Sequence, residues 1–286
     1  GNHIITSKIE HPAVLNTCKN LEHKGFRVTY LNVDENGFID INQLKCNICN
    51  DTILISIMMA NNELGTIQNI QEIGKIAHRN NIVFHTDAVQ AVGNVPVDVK
   101  EMNIDLLSLA GHKIYGPKGI GAAFMKSDAY GIEPITAFMH GGEQEFGFRA
   151  GTHAVHNIVG FGKAAEIALR DLKENEAHIK SLDDMLIAGI SSIDGIHTTV
   201  DAAKRLPGIV SLVVDKSDFH NERFIKKISE DVALSTGSAC SAGEPSYVIQ
   251  ALGLADKVTK VLRVSINKYT TAKDIEEFVG ILKAEI

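Results

Sequence analysis

"TILISIMMANNELGTIQNIQEIGKIAHRNNIVFHTDA", Thr52 to Ala88, holds two apolar runs on either side of a segment with helical spacing. "TILISIMMA" is a continuous apolar run suited to a strand buried on both faces, and "NIVFHTDA" is a second run of strand length. Between them "IQEIGKIAHRN" sets apolar residues three and four apart, the period of a helix that covers a sheet. Strand, helix, strand in that order predicts two parallel strands joined by a crossover. The pattern extends in both directions. Upstream, "HIITSKI" and "RVTYLNV" read as strands, His11 to about Lys24 as a helix, and "INQLKCNI" as a short helix. Downstream, "IDLLSLA" and "GIGAAFMK" read as further strands. The prediction for residues 1–169 is therefore an α/β domain, a mainly parallel sheet flanked by helices. In such sheets ligands bind outside the carboxyl ends of the strands.

From Thr152 to Ser192 the pattern is long, helical and free of proline, which predicts two helices leading into a second domain. Residues 170–286 then read as a smaller α+β unit. Its strands are "GIVSLVV", "VALSTG" and "VLRVSIN", and its helices lie near Glu222–Ser229, near Tyr247–Leu254 and from about Ala272. No internal repeat or low-complexity segment interrupts the 286 residues.

Composition narrows the function classes. With 44% hydrophobic and 22% charged residues and a net charge of −7, the chain has globular composition and no long basic run. That argues against a nucleic-acid groove and a polybasic membrane anchor. No apolar run approaches the roughly 20 residues of a membrane span, and the start does not read as a signal peptide. Four cysteines make no disulfide framework in a chain of this size, so a reducing cytoplasm is the expected compartment. "GNHIITSKIEHPAV" opens almost directly in strand, as though the chain began partway through a longer one.

Chemistry is sought at the strand ends. Asp87 finishes "NIVFHTD" and is followed by Gln90. It either caps the next turn or is a buried charge that needs a cation, such as the protonated pyridine nitrogen of pyridoxal phosphate. "LAGHKIYGPKGIGAAF", Leu109 to Phe124, sets Lys113 after an apolar strand, where a partly dehydrated amine has a lowered pKa and can form a Schiff base. A surface lysine is the plainer reading. Lys118 competes, but it lies between glycines in a turn. "TGSACSAGEPSYVI" holds Cys240 among small residues, ahead of a helix whose N-terminus favours a thiolate. Nucleophile and structural thiol both fit it.

Other candidates are weaker singly. His11 opens a helix, to cap it or to face a ligand, and Asn62 lies past the most apolar strand, in a turn or on a ligand oxygen. Arg263 interrupts "VLRVSI", and a buried guanidinium requires an anion such as a substrate carboxylate. Thr152 ends the glycine-rich "HGGEQEFGFRAGT", as an N-cap or a phosphate contact. Cys46 and Cys49 form a lone C-x-x-C with no second pair for zinc, and they close a helix where a redox motif opens one. Cys18 reads as core.

The motifs "TSKIEHPAVL", "ILISIMMANNELGTIQ", "HTDAVQAVG", "LAGHKIYGPKGIG", "HGGEQEFGFRAGT", "STGSACSAGEPSYV" and "LRVSIN" run from end to end of the chain. In that order they resemble the cysteine desulfurases of iron–sulfur-cluster and nitrogen-fixation type, within the fold-type I, class V aminotransferase-like enzymes. The resemblance implies pyridoxal 5'-phosphate as cofactor, L-cysteine as substrate, and L-alanine and a Cys240 persulfide as products. It implies that Lys113 forms the Schiff base with the cofactor, and that His11 stacks on the ring and relays protons. Asp87 would pair with the ring nitrogen, Asn62 would contact the ring hydroxyl and the substrate, Gln90 the ring hydroxyl, and His112 the phosphate. Arg263 would hold the substrate carboxylate. Thr152 would reach the cofactor of a neighbouring subunit, which implies a homodimer with shared sites, and a protein such as an iron–sulfur scaffold would accept the sulfur.

The chain also departs from the family pattern. A Gly-Thr-Glu-Ser-type phosphate-binding stretch belongs upstream of "GNHIITSK", Ala110 stands where many members have serine, and Glu143 and Phe146 replace a frequent glycine and arginine. The segment from Cys240 to Pro245 is shorter than in long-loop members. Two alternatives follow: a non-catalytic fragment that dimerises or docks sulfur-relay partners, and another lyase or transaminase of the same fold.

Overall fold

The computed structural model describes residues 1–128, 131–132, 135–237 and 245–286. The chain begins with β1 (His3–Ser7), α1 (Pro12–His23), β2 (Arg27–Leu31), α2 (Ile41–Asn47), β3 (Thr52–Ser56), α3 (Ile70–Arg79), β4 (Val83–Asp87), β5 (Leu106–Ala110) and β6 (Gly121–Met125). These strands form one six-stranded sheet in the order β2-β1-β3-β4-β5-β6, parallel throughout except for the antiparallel edge strand β6. The parallel α/β expectation is met.

The two faces of this sheet differ. Ile5, Ile55, Phe84 and Leu107 alternate onto one face and are buried with Leu44 of α2 and Ile73, Ile76 and Ala77 of α3. The opposite face carries Leu54 and Ser56 of β3, His85 and Asp87 of β4, and Ser108 and Ala110 of β5. The sequence "TILISIMMA" therefore does not make a strand buried on both faces: β3 ends at Ser56, Leu54 is half-buried and Ile53 is exposed.

After a two-stranded pair, β7 (Ser127–Asp128) and β8 (Gly131–Ile132), α4 (Val155–Ile190) runs without interruption for 36 residues. Two helices were predicted there. With no proline in the segment, neither Gly160 nor Gly162 ends the helix. Gly160 has a packing reason, since a Cβ there would come within 2.7 Å of Pro117. The residue 169/170 division falls inside α4. Its first half lies against the turn after β5, and its second half buries Ile179, Leu182, Leu186 and Ile190 in a separate core.

That second core belongs to a three-stranded antiparallel sheet, with β9 (Ile196–Thr198) and β11 (Val261–Ser265) flanking β10 (Ile209–Val214). α5 (Asn221–Lys227), α6 (Tyr247–Ala251) and α7 (Ala272–Glu285) complete the unit, and α7 opens with a capping box between Thr271 and Asp274. "VALSTG" does not form the predicted strand. Val232 and Leu234 pack on the core, but pairing is limited to one bridge between Ser235 and Arg263, and the Ser235 hydroxyl turns back onto the Gly237 carbonyl at 2.7 Å.

A third cluster, with Ile9, Met58 and Leu64 on one side and Val213, Val248 and Val261 on the other, packs the two units together. A buried ion pair holds α4 to the segment before β10 within the smaller unit, and a backbone bond joins that segment to the larger unit. Arg205 donates to both oxygens of Asp183 at 2.8 and 2.7 Å, while Leu206 N–H donates to the Gly65 carbonyl at 2.8 Å.

Candidate active site

The polar face of the large sheet opens into a cavity of about 620 Å³ at the carboxyl ends of the strands. Its lining brings together His11, Asn62, Asp87, Gln90, His112, Lys113 and Arg263, which the sequence scatters over most of its length. An apolar extension runs beneath α1, between Val14, Cys18 and Leu21 above and Ile4 and Leu54 below.

Each side chain is set by local structure. Asp87 ends β4 nearly buried, and one of its carboxylate oxygens accepts from Val89 N–H at 3.0 Å. The cap reading of Asp87 thus holds for one oxygen, and the residue still lines the cavity. His11 is likewise both: its Nδ1 accepts from Ala13 N–H at 3.2 Å as the N-cap of α1, and its ring borders the cavity. Lys113 does not end a strand. Gly111–Ile114 form a single 3-10 turn after β5, and His112 and Lys113 both stand exposed at the cavity rim. Burial and the positive charges of Lys113 and Lys118 hold the His112 imidazole below its usual range.

On the opposite wall Arg263 projects from β11. Its Nη1 donates to the Asn62 carbonyl at 3.1 Å, which joins the small sheet to the loop after β3. Burial depresses the Arg263 guanidinium, with the charge of Glu63 opposing that effect. Glu63 itself is buried and accepts from Ser246 Oγ at 2.6 Å. A side chain added at Gly237 would also come within 3.0 Å of Glu63 Oε2. Gly237 and Ser246 flank the segment that bears Cys240, so both approach the same carboxylate beside Asn62. Cys240 itself lies outside the described residues.

Thr152 does not line the cavity. It is exposed in the loop before α4, whose N-cap is Ala154 with no side-chain bond, so the capping reading of Thr152 is not realised. Cys18 is buried in α1 and its thiol is pushed up to about 11, chiefly by burial, as an inert thiol would be. Cys49 is exposed at the opposite, amino-terminal edge of the sheet, beside Arg27 and Thr52, far along the strands from this site. No group of His, Cys, Asp and Glu arranged for a metal occurs among the described residues. No helix among them is long and apolar enough to cross a membrane.

The site also contains residues that the sequence reading passed over. His85 lines the cavity between two serines on neighbouring strands, with Nδ1 at 2.8 Å from Ser56 Oγ and Nε2 at 2.6 Å from Ser108 Oγ. Burial lowers its pKa, against the raising effect of Asp87, so the ring is neutral with one nitrogen donating and one accepting. The signal was present in "VFHTD": residues two apart on a strand share a face, so Asp87 in a site implies His85 in it.

The lining suits a ligand with both acidic and basic groups. Asn62 Oδ1 and Arg263 Nε are buried polar atoms with no hydrogen-bond partner among the described residues. An acceptor and a charged donor left unsatisfied on one wall call for a polar molecule between them. A carboxylate-bearing substrate answers the guanidinium, and a cationic ring nitrogen answers Asp87. The lysine at the rim supplies an amine. These residues fit pyridoxal phosphate.

Comparison with known proteins agrees. Residues 1–278 match the family model for class-V aminotransferases. The chain is 43% identical over 290 residues to cysteine desulfurase IscS of Colwellia psychrerythraea (strain 34H / ATCC BAA-681), covering all of this chain and 70% of that protein. Among solved structures, a NifS-like protein superposes with a TM-score of 0.90 at 33% identity, over 99% of this chain and 74% of its own. SspA in complex with cysteine superposes at 0.78 with 38% identity, over 94% of this chain and 75% of its own. The parallel sheet with its small antiparallel companion, the residues gathered at its strand ends and these likenesses place the chain in the class-V aminotransferase family, among the cysteine desulfurase homologues.

Proposed function

We propose that the chain is a cysteine desulfurase that holds pyridoxal 5'-phosphate in the cavity and transfers sulfur from L-cysteine to Cys240. The observation that carries this reading is the convergence of Asp87, Lys113, His11 and Arg263 on one cavity with two unsatisfied polar atoms in its wall. In this reading Asp87 faces the ring nitrogen and keeps its proton in place, while His11 covers the ring. Gln90 and Asn62 bond the ring hydroxyl, His112 approaches the phosphate, and Lys113 is the residue that links covalently to the cofactor. When bound, the cofactor supplies an electron sink for the pair released at the substrate Cα.

The chain's own residues do the rest. Arg263 grips the substrate carboxylate with a two-pronged fork, strengthened by its partial removal from water. The Lys113 amine takes the Cα proton. The Cys240 thiolate then attacks the substrate sulfur: the S–S bond forms, the Cβ–S bond breaks, and the carbon keeps the electron pair and gains a proton on the way to L-alanine. The persulfide passes from Cys240 to an acceptor protein, an iron–sulfur scaffold being the expected kind, in a reducing cytoplasm.

We place Thr152 on the phosphate of a second copy. Its position outside this cavity supports that arrangement, as do the exposed apolar side chains Phe138 and Phe146 in the preceding loop and Val155, Val159 and Leu169 along the first half of α4. The test is incubation with pyridoxal phosphate, L-cysteine and a thiol reductant that cleaves the persulfide, with alanine and sulfide measured together. Equal release of both, abolished in Cys240→Ala, is expected. Sulfide release that survives that substitution overturns the assigned thiol, and a chain that takes up no cofactor supports the non-catalytic fragment instead.

A further inference from the structure

Glu10 precedes His11 at the corner between β1 and α1, and its side chain is fully buried. Its Oε1 accepts twice, from Ser7 Oγ at 2.6 Å and from Met58 N–H at 3.0 Å. Its Oε2 is buried with no partner among the described residues. Its carbonyl accepts from the Tyr247 hydroxyl of α6 at 2.6 Å, and Asn61 Nδ2 donates to the neighbouring Ile9 carbonyl at 2.9 Å. Three segments thus meet on this one residue: the corner that carries His11, the chain after β3 that carries Asn62, and the helix that follows the Cys240 segment.

We propose that Glu10 is a positioning residue, whose side chain locks the His11 corner to the segment bearing Asn62 so that imidazole and amide keep their places on opposite sides of the cavity. The inference rests on the reading of His11 and Asn62 as cofactor contacts. The geometry also requires a proton. A carboxyl with one oxygen unpartnered in a dry site is far less costly neutral than charged, and burial together with the nearby Asp87 pushes its pKa up to about 8. The groups that face it are Ser7 at the end of β1, Asp87 at the end of β4, Cys18 on α1 and the Tyr247 hydroxyl on α6. None of these is a cation. As pH rises through about 8, Glu10 gains a charge beside Asp87 and the corner loosens.

The test follows the histidine resonances of the full chain without cofactor, in protein labelled on its histidine rings, together with the dissociation constant for pyridoxal phosphate. In the wild type the His11 signal is expected to show an alkaline inflection near pH 8, set by Glu10. Glu10→Gln, neutral at every pH and of the same shape, is expected to keep the neutral-pH His11 signal and lose that inflection. Glu10→Ala removes both acceptors, and is expected to shift or broaden the signal and weaken cofactor binding at least tenfold. An alkaline inflection that persists in Glu10→Gln overturns the proposal. So does a Glu10→Ala protein with His11 signal and cofactor affinity unchanged. If Glu10→Ala does not fold, the inflection in Glu10→Gln decides. If the wild type binds no cofactor the functional reading fails, and the resonances still judge Glu10.

Discussion

Asp87 does two jobs with two oxygens. One caps the turn through Val89, and the other is left at the cavity, where Asn62 and Arg263 also present unsatisfied atoms. Replacing Asp87 by Asn keeps the cap and removes the charge. Cofactor-dependent turnover is predicted to fall about 10²-fold or more, with the fold unchanged by circular dichroism. Glu10 gives a second prediction at this scale. Its folded-state pKa of about 8 stands above its ordinary value of 4.5. Between those values the native chain holds a proton that the unfolded chain has released, so stability is full below the lower value and is lost as pH rises through the upper. Glu10→Gln removes that loss. Its unfolding free energy is predicted to decline less than that of the wild type between about pH 5 and about pH 9, by a few kcal/mol, in denaturant titrations. Equal slopes would refute a neutral Glu10.

At the scale of elements, much was legible because periodicity reports burial directly. Alternating strand and helix signals from "HIITSKI" to "GIGAAFMK" gave the parallel sheet, and the strand ends gave Asp87 and Gln90. Legibility failed where side chain competed with backbone. "VALSTG" has strand composition, yet Ser235 bonds within its own turn and the ladder stops at one bridge. It failed too where a pattern admits two lengths, since nothing in "HNIVGFGKAAEIALRDLKENEAHIKSLDDML" distinguishes one long helix from two. Long-range pairings such as Arg205 with Asp183 carry no local signal at all. That pair makes a prediction for the junction of α4 with the small sheet. With both side chains almost fully buried, Arg205→Met leaves Asp183 uncompensated and is predicted to destabilise the fold by about 3–5 kcal/mol, read by denaturant unfolding. Gly208 is a second: at φ +87°, with a prospective Cβ 2.8 Å from the Ile266 carbonyl, Gly208→Ala is predicted to cost roughly 1–3 kcal/mol.

The whole molecule sets the site where its two units meet, under the shared cluster of Ile9, Met58, Val213 and Val248. Arg263 reaches across from the small sheet to the Asn62 carbonyl in the loop after β3, so the proposed substrate grip and the proposed cofactor wall are joined by one hydrogen bond. Thr152 lies outside the cavity of its own chain, and its assignment to a second copy belongs to the proposed dimer. In the proposed dimer the exposed apolar side chains of the first half of α4 would meet the second copy. Val159→Glu is predicted to convert dimer to monomer in sedimentation velocity and to lower cofactor affinity with it, whereas a wild-type chain that is monomeric at micromolar concentration contradicts the shared site. The chain spans 70% of the length of the Colwellia relative that it matches. In the proposed reading Lys113 is the amine joined to the cofactor in the cavity shared with Asp87. The direct measurement is borohydride reduction of the chain mixed with pyridoxal phosphate, followed by peptide mass spectrometry. Loss of the yellow colour and a phosphopyridoxyl group on Lys113 alone are expected; a label on Lys118 or spread over surface lysines, or no label at all, would overturn the assignment of Lys113.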